Sequence, residues 1–154
     1  MAELDDKLNA LYGHWVVADA VRHAALIHRL EGVPEQLSGL AEFSRFMILR
    51  TFYALLYVVV EGYRDLKLAN PEIDRLLADT AMAEALRRFR NSMFHPQENP
   101  LSDKQTNFLY RVGSEVWIRD LHKALEKFLE QTSPMMEQVE QAKAALREYG
   151  LKLE

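Results

Sequence analysis

Residues 46–60 read FMILRTFYALLYVVV, the longest apolar run in the chain. Fifteen residues fall short of a bilayer span, which takes about 20, and Arg50 sits inside the run. An apolar stretch of helical period predicts a central helix that other helices surround. Worked outward, this helix starts where Ser38 can cap it and runs to about Ala69, where Asn70-Pro71 halts it. At 1.5 Å per residue it would be about 45 Å long. One polar strip interrupts it: Arg50, Tyr57, Glu61 and Arg64 share a narrow angular sector, with Asp65 beside it. The strip reads either as a solvent face with local ion pairs or as one wall of a functional cleft, in which case Glu61 is its candidate side chain.

The flanking segments are helical too. In 3–32, Leu4, Leu8, Leu11, Trp15, Ala18, Ala25 and Leu26 follow i, i+3, i+4 spacing, and Gly32 and Pro34 stop the pattern. PEIDRLLAD (71–79) is a short helix with Pro at its first position. Thr80 can cap the next, which ends at His95 because Pro96 disfavours helical backbone before it. HPQENPLS (95–102) is a loop, and SDKQ (102–105) has the spacing of a capping box. From there one helix is expected to run through to near Pro134, and a last amphipathic helix over about 136–149 stops at Gly150. No strand pattern, repeat or low-complexity segment is visible. The expected fold is a single all-α domain over 1–154, an up-down bundle of four main helices with short additions, its core within about 5–130.

Composition narrows the function classes. The chain has 154 residues, 49% apolar and 27% charged, which is globular. Its net charge of −4 argues against diffuse attraction to nucleic acid, so any such binding needs a local basic patch. With no Cys, disulfides, thiolate metal sites and Cys nucleophiles are excluded. MAELDDKLNALYG (1–13) lacks the basic and apolar regions of a signal peptide, and a cytoplasmic protein with no membrane contact is expected. Helical bundles often hold metal, yet none of His14, His23, His28, His95 and His122 has Glu three residues before it. There is no His-Glu-x-x-His and no Gly-rich phosphate loop, so neither metal nor cofactor is expected. Asp19 and His23, at i and i+4, read as a surface contact.

Chemistry concentrates in RRFRNSMFHPQ (87–97). His95 stands at a helix C-terminus, whose partial negative charge favours the protonated ring. A His titrating near neutrality can give and take protons. Asn91 lies one turn before His95 on the same face, with Arg90 about 100° to the side. Phe89 and Met93 share an apolar face that should hold the helix to the core. Arg87 and Arg88 add charge, making a cationic spot in an acidic protein for which phosphate is the natural guest. The alternative is an ordinary helix end, where Arg and His are also favoured.

Arg90-Asn91-Ser92-Met93-Phe94-His95 resembles the signature of the HEPN superfamily: Arg, a polar residue that is often Asn, then His after four to six residues. The resemblance covers about residues 5–130. It implies an all-α bundle and a metal-independent endoribonuclease, of the toxin or phage-defence kind, whose motifs meet across a homodimer. On that resemblance His95 is the general base or acid for attack of a ribose 2′-OH on the adjacent phosphate. Arg90 stabilises charge on the phosphoryl oxygens, and Asn91 orients His95 or a phosphate oxygen. Glu61 is the polar side chain recruited from a neighbouring helix, and Arg87 and Arg88 bind RNA phosphate. An antitoxin partner protein is implied as well. Members paired with a nucleotidyltransferase antitoxin often carry Tyr two residues after the His, where this chain has Gln97. Other members bind RNA or a nucleotide without cutting it, so a non-catalytic binding module and a helical interaction protein stay open beside the enzyme.

Overall fold

The structure, a computed structural model, describes residues 2–27, 35–94, 103–133 and 135. The expected helix over 136–149, the stop signals Gly32 and Pro34, and the loop 95–102 with His95 lie outside them. The described residues are all helical in architecture, with no strand. In chain order the helices are α1 (Ala2–Ile27), α2 (Glu35–Asp65), α3 (Pro71–Leu77), α4 (Thr80–Phe94), α5 (Asp103–Leu109) and α6 (Ser114–Thr132).

α2 is the centre, as its apolar run predicts. Phe52, Leu56, Tyr57, Val59, Val60 and Tyr63 are buried along it. The run 46–60 sits within a longer stretch, Gly39–Asp65, that is long and apolar enough to cross a membrane by length and composition. Here that stretch carries the core against which α1 and α4 pack. α1 runs antiparallel to α2, with Leu11 against Gly62 at one end and Leu26 near Leu49 at the other. A Cβ on Gly62 would stand 2.6 Å from Leu11 Cδ1, so Leu11 packs into the space a side chain there would take. α4 returns antiparallel to α2, with Tyr53 edge-on to Phe89 at 6.1 Å and Arg64 beside Thr80. α6 runs back along α1: Asn9 meets Ser133 at one end, and Trp15 stacks on His122 further along at 5.5 Å. The four long helices thus alternate up and down, and α3 and α5 are the short additions.

Several boundaries differ from expectation, each for a local reason. α2 begins at Glu35, so Ser38 lies inside its first turn rather than before it. It ends at Asp65, four residues short of Ala69. Lys67 takes a left-handed conformation (φ 52°), its N–H bonds Arg64 O, and the Leu68 N–H bonds Tyr63 O. That is a Schellman closure with lysine in the place usually held by glycine. Asn70, read as a stop, is the cap of α3: its side-chain oxygen accepts from the N–H groups of Glu72 and Ile73. α4 is capped by Asp79, which accepts from the Met82 N–H, and not by Thr80, which is the first helical residue. The single helix expected from 103 to 133 is two, broken before Gly113, whose φ of +83° no other residue type adopts cheaply. Of the capping box at 102–105, Ser102 lies outside the described residues, while Gln105 is buried and its Oε1 accepts from Arg50.

Candidate functional site

The last turns of α4 are fixed from below. Phe89 is fully buried between Tyr53 and Phe108, and Met93 packs against the same core. These two positions hold the helix in the way the apolar face of 87–97 predicts, and they turn Arg90 and Asn91 toward the partly exposed side. Arg90 reaches Glu61 on α2 through Nη2 and donates to Asn91 Oδ1 through Nη1 at 2.9 Å. The side chains of Arg90 and Glu61 are 29% and 34% exposed, so the pair lies at the edge of the core where an incoming group can reach it. Arg90 Nε is buried without a hydrogen-bond partner among the described residues. With its carbonyl oxygen engaged by Arg90, Asn91 presents its amide N–H₂ onward as a donor. Three of the sequence-derived site residues, Arg90, Asn91 and Glu61, therefore form one hydrogen-bonded group. His95, the remaining catalytic candidate, lies outside the described residues.

Arg87 and Arg88 are exposed, as phosphate-binding arginines need to be, but they are already engaged. Both donate to Glu84: Arg87 through Nε and Nη2 at 2.7 Å each, Arg88 through Nε at 3.1 Å. The hydrogen bonds from Arg87 and Arg88 hold the Glu84 carboxyl down to about 2. The local positive charge read from the sequence is partly neutralised by a carboxylate one turn away. Beyond Arg88 lies a cleft of about 310 Å³ between α4 and α5, lined among others by Lys104, Asn107 and Arg111.

The polar strip of α2 does not stay on one surface. Arg50 and Tyr57 are each only 3% exposed, Glu61 is half-buried and Arg64 is exposed. The solvent-face reading of the strip is thereby corrected for Arg50 and Tyr57. The strip winds from the α5 junction through the core to the surface, and Glu61 stands where it emerges beside Arg90. Burial raises the Tyr57 hydroxyl above its ordinary range.

Two polar groups escaped the sequence. Arg50 pairs with Gln105 on α5, a contact between residues far apart in the chain. The signal for it was an arginine inside an apolar run, which demands a buried partner without naming one. The second group is centred on Asp19, which is not a simple surface partner of His23. Its carboxylate lies 3.0 Å from Arg22 Nε, 3.0 Å from His23 Nδ1 and 3.0 Å from Nε2 of the buried His122. The His122 approach is a charge contact without the alignment of a hydrogen bond. Burial pushes the His122 pKa down, the charge of Arg22 adds to this, and Asp19 opposes both. Among the described residues no cluster of three His, Asp or Glu side chains converges as metal ligands do. No family model, no curated protein and no solved structure matches the chain, and its functional reading rests on the residues themselves.

Proposed function

We propose that the protein is a metal-independent endoribonuclease of HEPN type, acting in the cytoplasm as a homodimer in the manner of a toxin or phage-defence nuclease. The observation that carries this reading is the Glu61–Arg90–Asn91 group, an arginine anchored at the edge of the core with an amide held beside it. A preset guanidinium is what a phosphorane-like transition state requires, because charge gathers on the nonbridging oxygens as the 2′-oxygen attacks. In the proposed reaction His95 takes the 2′-OH proton, the 2′-oxygen bonds to phosphorus, and the 5′-oxygen leaves with a proton from a general acid. The products are a 2′,3′-cyclic phosphate and a 5′-hydroxyl. Arg90 receives the developing charge, which it can do once phosphate competes with Glu61. Arg87 and Arg88 hold neighbouring phosphates, and the cleft beside Arg88 with Lys104 and Arg111 continues the track.

The dimer supplies a second motif to the cleft, and an antitoxin protein would act by covering it. Leu40, Phe43 and Met47, at i, i+3 and i+7 on one side of α2, give a second copy apolar surface to pack on: they are 66%, 58% and 36% exposed.

A labelled single-stranded RNA incubated in EDTA tests the reading, with an end-group assay for cyclic phosphate and an all-DNA control. Wild type should cut RNA only. Arg90→Ala and His95→Ala should each lose a factor of about 10² to 10⁴. His95→Ala should keep RNA affinity, and Arg90→Ala should bind more weakly, because of these two only Arg90 carries permanent charge. Cutting that needs divalent metal, or full activity in His95→Ala, would sink the proposal. The second reading, a module that binds RNA without cutting it, is favoured by one observation, the closure of Glu61 over Arg90. It stands if both wild type and His95→Ala bind and neither cuts.

A further inference from the structure

The C-terminal turn of α4 has a defect written into the sequence. In a helix the carbonyl of Ser92 would accept from the N–H of residue 96, but residue 96 is proline and has none. A buried carbonyl left without a donor is costly. The donor comes from another helix: Gln105 Nε2 on α5 lies 3.4 Å from Ser92 O, with Met93 Sδ at 3.9 Å. A glutamine amide can face either way, and Arg50 on α2 decides which. Its Nη2 donates to Gln105 Oε1, which turns the N–H₂ end toward α4. Arg50, Gln105 and Ser92 are each only 3% exposed. Burying a guanidinium at this point is expensive, and apolar neighbours would fill the space without it.

We propose that Arg50 and Gln105 are positioning residues: a buried relay that replaces the hydrogen bond Pro96 removes, and so holds the end of α4 that carries Arg90 and Asn91. The link to catalysis rests on the ribonuclease reading; the link to the helix end does not. Met47 Sδ accepts from Arg50 Nη1 at 3.3 Å, which fixes the guanidinium from the α2 side.

Gln105→Glu separates positioning from mere stability. It keeps an acceptor for Arg50, strengthened by charge, while removing the only donor to Ser92 O that this side chain has. Hydrogen exchange should speed up about tenfold at the amides of 91–94 and stay as in wild type along α6. In the RNA assay kcat should fall about tenfold with KM within about twofold, and the His-dependent limb of the kcat–pH profile should move. A double variant, Arg50→Met with Gln105→Met, exchanges the polar pair for apolar side chains of similar length and guards against misfolding of the first. It should show the same local exchange increase in a folded protein. Unchanged exchange at 91–94 in both variants overturns the relay. If wild type does not cut RNA but exchange responds as expected, the relay stands and the ribonuclease reading falls.

Discussion

Glu84 decides how much of the α4 charge is available to a ligand. It accepts from Arg87 and Arg88 together, and all three side chains are open to solvent. Glu84→Gln removes one negative charge and two anchor points without disturbing the core. If these arginines hold RNA phosphate, the variant should bind single-stranded RNA several-fold more tightly in low salt, with log K falling more steeply against log salt by up to about 1. Unchanged affinity and slope would remove Arg87 and Arg88 from the site. His122 offers a test of a different kind. Its pKa in the fold lies below the ordinary 6.5, mainly from burial, so the unfolded chain takes up the proton first as pH falls. Stability is full above the unfolded value, declines from there down to the lowered folded value, and levels off below it. Urea midpoints measured from about pH 7.5 to about 5 should therefore fall in wild type and fall less in His122→Phe, which keeps an aromatic ring against Trp15 and Phe52 and leaves Asp19 with Arg22 and His23. Equal slopes would show that the ring does not titrate in that range.

At the scale of elements, the closure of α2 is the feature most open to measurement. Lys67 occupies a left-handed position that costs a side chain about 1 kcal/mol, and nothing about that backbone needs lysine. Lys67→Gly should raise the unfolding free energy by up to about 1 kcal/mol, or Tm by about 2–4 °C, less whatever entropy the freer glycine adds to the unfolded chain. A fall in Tm would mean that the lysine side chain contributes more than its backbone costs. The same closure hides the end of α2 from the sequence. Proline and glycine mark a stop in the sequence, whereas a lysine in left-handed backbone has no signature, so Asn70-Pro71 is the first stop that pattern alone shows. Asp79 and Thr80 are both good caps, and only the backbone tells them apart. Gly113 was legible in principle: a lone glycine within a helical pattern marks a break as well as a tolerated defect. The existence and type of the long helices came through because their apolar stripes repeat over many turns, and that repetition survives errors at the ends.

For the whole molecule, up-down alternation brings residues together that no local pattern couples. Arg90 and Asn91 were found as neighbours in the chain, but the pairing of Arg90 with Glu61 depends on α4 lying antiparallel against α2. Glu61's place on the α2 strip fits a cleft wall and a solvent face equally well until α4 is set beside it. Asp19 and His122 lie 103 positions apart (122 − 19), and the spacing of α1 alone offered Asp19 only His23. Assembly is the remaining question at this scale. Light scattering at micromolar concentration should give twice the 17.9 kDa chain mass, and Phe43→Glu, a charge in the exposed apolar ridge of α2, should return it to the single-chain value. Monomer mass for wild type would leave the cleft with one motif. The stack of Trp15 on His122 has a consequence for the eye of a fluorimeter. A protonated imidazole accepts an electron from an excited indole, and a neutral one does so poorly. Trp117, the second of two tryptophans, sits against α3 with its N–H donated to Leu76 O. The emission of Trp15 should dim as acid charges the ring beneath it while that of Trp117 holds steady. With Trp117→Phe as the background, the folded protein reports the ionisation of one buried histidine as a loss of light.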